Sequence, residues 1–237
     1  MKITDARATA PPVKPQRIRK PPRKHAIVLA AAEKAFVKYG FGGTSVDAIA
    51  ELAGVSKRTV YSNFATKQAL YAQVIRKRSD EVVSHELEDD SDDADPTATL
   101  LKASVALLQK VYSPDEIALF QTVVADSRQF PEEGKILFNG PVMRSHVAFA
   151  GYFRKLVRKG VLRHMDLELA AAQFVALLKS NMHMRLMLSQ PTDTTRKKLE
   201  EVSRSAIRLF LYGALKSGYS ESAAAVMHRG TRSRKRS

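Results

Sequence analysis

The segment GVSKRTVYSNF, Gly54–Phe64, carries a row of hydrogen-bonding side chains between apolar anchors. A short helix that begins after Ser56 and turns Val60 and Phe64 inward would leave the remaining side chains facing outward. They are Lys57, Arg58, Thr59, Tyr61, Ser62 and Asn63. Their ammonium, guanidinium, hydroxyl and amide groups can hydrogen-bond the phosphates and base edges of a nucleic acid. A solvated surface helix is the alternative, but such a helix would favour Glu and Lys over Tyr and Asn.

Two predicted helices precede this segment and would position it. Residues Arg23–Tyr39 form an amphipathic stripe that Gly40 ends. The stripe consists of Val28, Ala31, Ala32, Ala35 and Phe36. We expect Thr44 to open the second helix, with Asp47 completing a capping box, and this helix to end near Ala53. Its inward-facing residues are expected to be Val46, Ile49, Ala50 and Leu52.

The junction between the second and third helices is predicted to be a tight turn. Gly54 can adopt the left-handed backbone conformation that such a turn needs, Val55 can plug the turn, and Ser56 can cap the next helix. Two helices joined in this way have the spacing of a helix-turn-helix, whose second helix lies in the major groove of DNA. The polar segment is therefore predicted to be a recognition helix.

The run TSVDAIAELAGVSKRTVYSNFATKQALYAQVI, Thr44–Ile75, resembles the DNA-binding segment of the TetR family of bacterial transcriptional regulators. The Thr, IA, AGVS, T-x-Y-x-x-F and K-x-x-L elements all occur in register. The resemblance implies that Thr44, Tyr61 and Lys67 bind phosphates, while the other outward residues of the third helix lie against bases. The predicted DNA-binding residues are Thr44, Ser45, Ser56, Lys57, Arg58, Thr59, Tyr61, Ser62, Asn63 and Lys67.

The formal net charge of +15 is concentrated in the two ends of the chain. Residues 1–25 carry a net charge of +7 and residues 228–237 carry +5, which leaves +3 for the residues between them. These tails lack the apolar face of a membrane-surface helix, so a nucleic acid is the favoured partner and a membrane is not expected. Solubilising charge is the alternative for each tail. The N-terminal arm would reach an adjacent minor groove through Arg17, Arg19, Lys20, Arg23 and Lys24.

The fourth helix is expected to begin near Thr66 and to run into an acidic segment. Residues 80–95 contain nine acidic side chains and no Lys or Arg. The segment lacks the glycine and the spaced glutamate of a calcium-binding loop, so we expect a solvated linker rather than a metal site. Transient binding of a basic tail to this segment is an alternative role for it.

Composition narrows the class of protein. The absence of cysteine excludes a disulfide framework and a thiolate metal site, and no stretch is apolar enough to span a membrane. The six histidines are scattered and form no array with acidic residues or serines, so we expect neither an enzyme nor a cofactor. The expected location is the bacterial cytoplasm, in association with the nucleoid.

The chain after Pro96 is predicted to remain helical. The expected helices span about 97–112, 114–128, 132–159, 166–189 and 193–216, and the third has a kink at Gly140–Pro141. Prolines stand at or near three of the predicted helix starts, at Pro114, Pro131 and Pro191. This half of the chain, with its FP and GP dipeptides, resembles the AefR-like subgroup of the TetR family.

The last two predicted helices carry apolar stripes that are wider than one neighbouring helix should cover. The stripe residues are Leu167, Ala171, Phe174, Leu178, Leu199, Val202, Ala206, Leu209 and Phe210. The resemblance implies that these helices pair with those of a second copy in a four-helix bundle. Such a homodimer would place two heads on double-stranded DNA at a palindromic site.

The remaining helices would form the effector pocket that the resemblance implies. Aromatic and methionine side chains adapt well to apolar ligands, although each of them could equally belong to the plain core. The candidates are Phe120, Val123, Phe138, Phe149, Phe153, Phe174, Met182 and Met187. A small apolar effector would move the fourth helix and thereby change the separation of the two heads.

These observations predict an all-α protein with four parts. A disordered basic arm, 1–22, precedes a helix-turn-helix domain, 23–70, and a helical effector-binding and dimerisation domain, 71–217, precedes a disordered basic tail, 218–237. The predicted function is sequence-specific transcriptional regulation, most simply as a ligand-responsive, homodimeric repressor. An architectural protein that coats DNA with little sequence preference is the alternative.

Overall fold

A computed structural model describes residues 23–80, 87 and 95–214. Over these residues the protein contains α-helices and one π-helical turn and no β-strand, which confirms the predicted all-α class. The helices are α1 (Arg23–Tyr39), α2 (Val46–Ala53), α3 (Lys57–Asn63), α4 (Lys67–Asp80), α5 (Pro96–Val111), α6 (Pro114–Asp126), α7 (Pro131–Leu137), α8 (Met143–Arg158), α9 (Leu167–Lys179), α10 (Met182–Met187) and α11 (Arg196–Ala214). The predicted N-terminal arm, nearly all of the acidic segment and the C-terminal tail lie outside the described residues.

The N-terminal helices α1 to α4 enclose one hydrophobic core, which we call the head core. The predicted stripe of α1 is buried in it, together with Ile49 of α2, Val60 of α3 and Leu70 of α4. Leu119 of α6 and Leu137 of α7 belong to the same core. The head is therefore packed directly against helices of the C-terminal half, and the predicted boundary at residue 70 falls within a helix that both halves share.

The turn between α2 and α3 has the predicted geometry. Gly54 adopts a left-handed conformation with φ of 63°, and its N–H donates to the carbonyl groups at the end of α2. The side chain of Ser56 accepts a hydrogen bond from the Thr59 N–H, which caps α3 as predicted. Val60 and Phe64 are 2% and 5% exposed, so both predicted anchors of α3 are confirmed.

The start of α2 differs from the prediction. Ser45, rather than Thr44, caps this helix, and the Ser45 hydroxyl accepts a hydrogen bond of 3.0 Å from the Ala48 N–H. The predicted capping box between Thr44 and Asp47 is therefore wrong. Leu52, which was expected to face inward, is exposed, because the short α2 turns that side of the helix to solvent.

The C-terminal half follows the predicted order of helices with two corrections. The predicted helix 166–189 is broken between α9 and α10, where Ser180 has a φ of 47° that a helix cannot accommodate. Pro191 does not start a helix, because α11 begins only at Arg196. The kink at Gly140–Pro141 is confirmed as the π-helical turn between α7 and α8.

Helices α5, α8, α9 and α11 enclose a second hydrophobic core, which we call the body core. Phe149 and Phe153 of α8, Phe174 of α9 and Phe210 of α11 form a buried aromatic cluster with ring centroids 4.7 to 6.2 Å apart. Within the predicted stripes, Leu209 is the exception, because it is 62% exposed on the outer side of α11.

Candidate nucleic-acid interface and effector cavity

The outer face of α3 presents the predicted polar side chains to solvent. Lys57, Arg58, Tyr61 and Ser62 are exposed, and Tyr61 keeps 46% of its surface accessible. Thr59 and Asn63 are half-buried at the edges of this face. A helix with two apolar anchors and six polar residues on its other side has the form required of a helix that enters a groove.

Several donors on this face are occupied by the helix itself. The Ser62 hydroxyl and the Asn63 amide both donate to the Thr59 carbonyl, at 2.9 and 2.8 Å. Arg58 and Tyr61 make no side-chain hydrogen bond with the rest of the described chain. Arg58 and Tyr61 can therefore engage a ligand with all of their side-chain donors, whereas the Ser62 hydroxyl hydrogen and one Asn63 N–H are already used.

Lys57 connects α3 to α2. Its ammonium lies 2.9 Å from the carboxylate of Asp47, and both side chains are exposed. The hydrogen bond and the charge of Asp47 raise the pKa of Lys57. Lys57 is thus fully protonated at neutral pH and is held against α2, where an incoming phosphate or base would compete with Asp47.

The side chains of Thr44 and Lys67 point into the protein rather than outward. The Thr44 hydroxyl is buried and donates to the Gly40 carbonyl at 2.7 Å. The Lys67 ammonium donates to the carbonyl groups of Phe41 and Thr44 at 2.8 and 2.9 Å, and it lies 4.1 Å from the centroid of the Phe41 ring. Partial burial lowers the pKa of Lys67. Both side chains fasten the loop before α2, and the predicted phosphate contacts of Thr44 and Lys67 remain predictions.

The same loop is also fastened from the C-terminal half. The carboxylate of Asp126, at the end of α6, accepts a hydrogen bond of 2.9 Å from the Gly42 N–H. Gly40 has a φ of 69°, and a Cβ atom there would lie only 2.7 Å from that carboxylate. Phe130 packs edge-on against Phe41 with ring centroids 5.2 Å apart. The position of α2 therefore depends on α6 as well as on the head.

A cavity lies in the C-terminal half between α5, α6, the π-helical turn, α8 and the α9–α10 junction. It encloses about 560 Å³ of unfilled space, part of which is open to solvent. Its apolar wall comprises Leu107, Val111, Phe120, Leu137, Pro141 and Val142. Its polar wall comprises Lys110, Glu116, Ser145, Lys179 and His183. The wall thus combines apolar side chains with a small number of polar groups, as small-molecule sites in proteins do.

The predicted effector residues are distributed over several parts of the fold. Phe120 lines the cavity, whereas Val123 belongs to the head core. Phe138 is exposed on the π-helical turn and Met187 is half-buried on α10. The others, Phe149, Phe153, Phe174 and Met182, are buried in the body core. Phe120 is thus the predicted residue that the structure brings to this cavity, and the ligand roles of the whole set remain predictions.

The polar residues of the cavity were missed because the prediction selected aromatic and methionine side chains. Burial lowers the pKa of Lys179. Burial and the neighbouring charge of Lys179 lower the pKa of His183 to about 4, so this imidazole is neutral at pH 7. Sequence offered one signal for this site, since Lys179 is the only charged residue in the run LAAAQFVALLKSNMHM, residues 169–184.

A buried ion-pair network connects this cavity to the head. The Arg78 guanidinium, near the end of α4, lies 2.8 Å from Glu116 of α6 and 2.7 Å from Glu33 of α1. Lys77 and Lys110 complete the network at 2.8 Å from Glu33 and 3.3 Å from Glu116. Burial raises the pKa of Glu33, but its contacts with Lys77 and Arg78 prevail and hold that pKa below the ordinary value.

The described residues also lack two features. They contain no group of three or more acidic or histidine side chains placed to hold a metal ion. None of the described helices combines the length and the apolar character that a membrane span requires.

Comparison with known families gives two matches. Residues 28–74 match the family model described as bacterial regulatory proteins, tetR family. Residues 98–213 match the family model described as AefR-like transcriptional repressor, C-terminal domain. The first match covers α1 to α3 and half of α4, and the second covers the helices that enclose the cavity.

Individual proteins agree with these matches. The chain is 46% identical over 54 residues to the HTH-type transcriptional regulator RutR of Escherichia coli K12, which is 23% of this chain and 26% of RutR. It therefore spans about a quarter of the length of this curated relative. A solved TetR-family regulator from Mesorhizobium loti has a TM-score of 0.74 at 24% identity, with 82% of this chain and 98% of that one covered. For the flavonoid-responsive regulator FrrA the TM-score is 0.64 at 27% identity, and the coverage is 83% and 99%.

Proposed function

Because the chain belongs to the TetR family of bacterial regulatory proteins, with an AefR-like C-terminal domain, we propose that it is a homodimeric repressor released from a palindromic operator by a small ligand. Proteins of this family are regulators rather than enzymes, in agreement with the scattered histidines of the sequence. The observation that carries the proposal is the outer face of α3, where exposed polar side chains stand on a helix fixed by Val60 and Phe64.

In this proposal α3 reads the bases and its neighbours bind the backbone. Arg58 is exposed and makes no side-chain hydrogen bond within residues 23–80 and 95–214, so it is suited to a bidentate contact with guanine. Tyr61, which is exposed and carries a hydroxyl group, is suited to a phosphate. Ser45 and Ser56 lie exposed at the caps of α2 and α3, where a phosphate would meet free N–H groups. Thr44 and Lys67 position the loop before α2 from inside.

An unpaired apolar face on the last long helices supports the homodimer. Leu169 and Leu177 of α9 and Leu209 and Tyr212 of α11 are all exposed, by 39% to 74%. Exposed apolar side chains concentrated on neighbouring helices are characteristic of an interface rather than of a solvated surface. A second copy packed on this face with two-fold symmetry would present two α3 helices to one duplex.

The ligand response is supported by the position of the cavity beside the ion-pair network. Glu116 lines the cavity and is also the partner of Arg78 in α4. A ligand that moves α6 would therefore change the position of α4. Because Arg78 of α4 also pairs with Glu33, the position of α1 would change as well. A ligand acts in this way only if it binds more tightly to the arrangement that fits DNA less well.

Selection of DNA sites from a random-sequence library, followed by footprinting of the selected site, tests the proposal. We expect one enriched sequence with dyad symmetry, protected over two half-sites, and strong preference for it over competitor DNA. Enrichment of no sequence would contradict the proposal and would favour an architectural DNA-coating protein. A protected site without symmetry would contradict the homodimer alone.

A further inference from the structure

The cavity holds a positive charge without a counter-ion. Lys179, at the end of α9, is partly buried in its wall, and no carboxylate of the described chain pairs with its ammonium. Burial without a partner lowers the pKa of this lysine. A partly buried ammonium with no anion beside it is costly in a folded protein, so its presence in a cavity wall calls for a function.

The one carboxylate in the cavity wall is already neutralised. Oε1 of Glu116 accepts a hydrogen bond from Arg78 Nε at 3.0 Å and lies 3.3 Å from the Lys110 ammonium. The ionised side chains in the wall are therefore Lys110, Glu116 and Lys179, with a net positive charge. This balance favours a ligand that brings a negative charge.

His183 supplies a second unsatisfied polar group at the same place. Its Nδ1 atom is buried and has no hydrogen-bond partner within the described residues. Its ring is held between Tyr112, at 6.2 Å between centroids, and Phe120, at 5.2 Å. A buried imidazole nitrogen without a partner is rare, because the lost hydrogen bond destabilises the fold unless a ligand restores it.

We propose that this cavity binds a small carboxylate with an apolar body, whose anionic group lies at the Lys179 ammonium and at His183. The proposal deepens the ligand response above and rests on it. Phe120 and the aliphatic side chains of the wall would cover the apolar body, an aryl or medium-chain alkyl group, part of which lies at the solvent-open side of the cavity. The sequence-based prediction of a small apolar effector stays a prediction, and this proposal adds an anionic group to its apolar body.

Matched pairs of probes test the charge requirement on the full-length protein. Cinnamate and octanoate are compared with cinnamamide and octanamide, which have nearly the same shape without the charge. In calorimetric titration at pH 7, we expect each carboxylate to bind at least about tenfold more tightly than its amide, as a charged hydrogen bond allows. Equal affinity of acid and amide, or no binding of either acid at 10 mM, would overturn the proposal.

Two variants assign the charge preference to Lys179. Lys179→Met keeps the length and apolar stem of the side chain, and we expect it to remove the preference for the acid. Lys179→Arg keeps the charge and is expected to retain it. Lys102→Met, on the exposed side of α5, is the matched control and should leave both affinities unchanged. A preference that survives Lys179→Met would overturn the proposal.

Operator binding, measured in the same samples, separates this inference from the proposed function. Acids that bind through Lys179 and leave operator affinity unchanged would support the ligand class and contradict the ligand response. A neutral compound that releases the operator, with no acid binding, would do the reverse. Release of the operator by the acids, and not by the amides, supports both.

Discussion

The guanidinium of Arg78 lies 2.8 Å from the carboxylate of Glu116, which joins the end of the fourth helix to the start of the sixth. Arg78 is 6% exposed and Glu116 is 14% exposed, so neither charge is well solvated. A pair of this kind specifies an arrangement of helices more than it adds stability, because desolvation offsets much of the attraction. Its loss therefore has consequences for geometry as well as for folding.

Replacing Glu116 by Gln should destabilise the protein markedly. Glu33 would then be the carboxylate partner that Arg78 keeps among the described residues, and removal of one member of a buried pair leaves its charge less well compensated. We expect the free energy of unfolding in urea, at fixed protein concentration, to fall by about 2 kcal/mol or more. Glu132→Gln, which breaks the exposed pair with Lys135, is the control and should cost less than about 1 kcal/mol. If both variants lose the same free energy of unfolding, the ion-pair network does not contribute specially to the stability of the fold.

Replacing Arg58 by Ala should weaken binding to the selected DNA site and relax its sequence preference at one base pair. The loss of a bidentate base contact is worth about 1–3 kcal/mol of discrimination. Fluorescence anisotropy with the selected site and single-base variants measures both effects. Arg154→Ala, an exposed arginine of the eighth helix, is the control for the loss of charge alone. A uniform loss across all sequences would instead assign Arg58 to the phosphates.

Lys67→Met distinguishes two roles for this lysine. Its ammonium already donates to two carbonyl groups inside the head, so we expect lower stability and weaker DNA binding without a change in salt dependence. A lysine that neutralises a phosphate would instead reduce the slope of log affinity against log salt by about 1. Titrations at four salt concentrations give that slope for the variant and the wild type.

His183 predicts a specific acid sensitivity. Its pKa is about 4 in the folded protein and about 6.5 in an unfolded chain. Between these values the unfolded chain binds a proton that the folded protein does not, so stability falls as pH decreases from about 7 to 4. We expect His183→Gln to lose less stability than the wild type between pH 7.5 and pH 5, by about 1 kcal/mol after allowance for solvent screening. Exposed His164, changed to Gln, should behave as the wild type.

Tyr212→Glu should separate the subunits of the proposed homodimer. Tyr212 is the most exposed of the large apolar side chains on the eleventh helix, at 74%. A carboxylate buried there in both subunits would place two like charges in an apolar interface. Analytical ultracentrifugation should show a monomer with the helical content unchanged. Val124→Glu, at an exposed apolar position of the sixth helix, is the control and should remain dimeric.

The head could be predicted from the sequence almost residue by residue, because its signals are local. The stripe of the first helix, Gly54 in the turn, the Ser56 cap and the Val60 and Phe64 anchors depend on neighbours within one or two helical turns. The cap of the second helix was misassigned to Thr44 because a preceding loop, not the helix, decides which hydroxyl is buried.

The cavity could not be predicted in the same way, because its wall comes from four separate stretches of the chain. Aromatic character indicates that a side chain is buried, but it does not distinguish a packed core from a cavity wall. Phe149 and Phe174 pack against each other in the body core, whereas Phe120 lines the cavity. The difference depends on residues that are distant in sequence. Likewise, the sequence around Arg78 does not indicate that its ion-pair partners lie on the first and sixth helices.

The sixth helix is engaged at both of its ends. Glu116 holds Arg78 near one end, and Asp126 holds the Gly42 N–H at the other. Its 13 residues form a helix about 20 Å long that connects the cavity wall to the loop before the second helix. A displacement of this helix at one end would move the residues in contact with its other end. Binding of the head to DNA would therefore constrain the shape of the cavity. DNA would lower the affinity for the ligand by the same factor by which the ligand lowers the affinity for DNA.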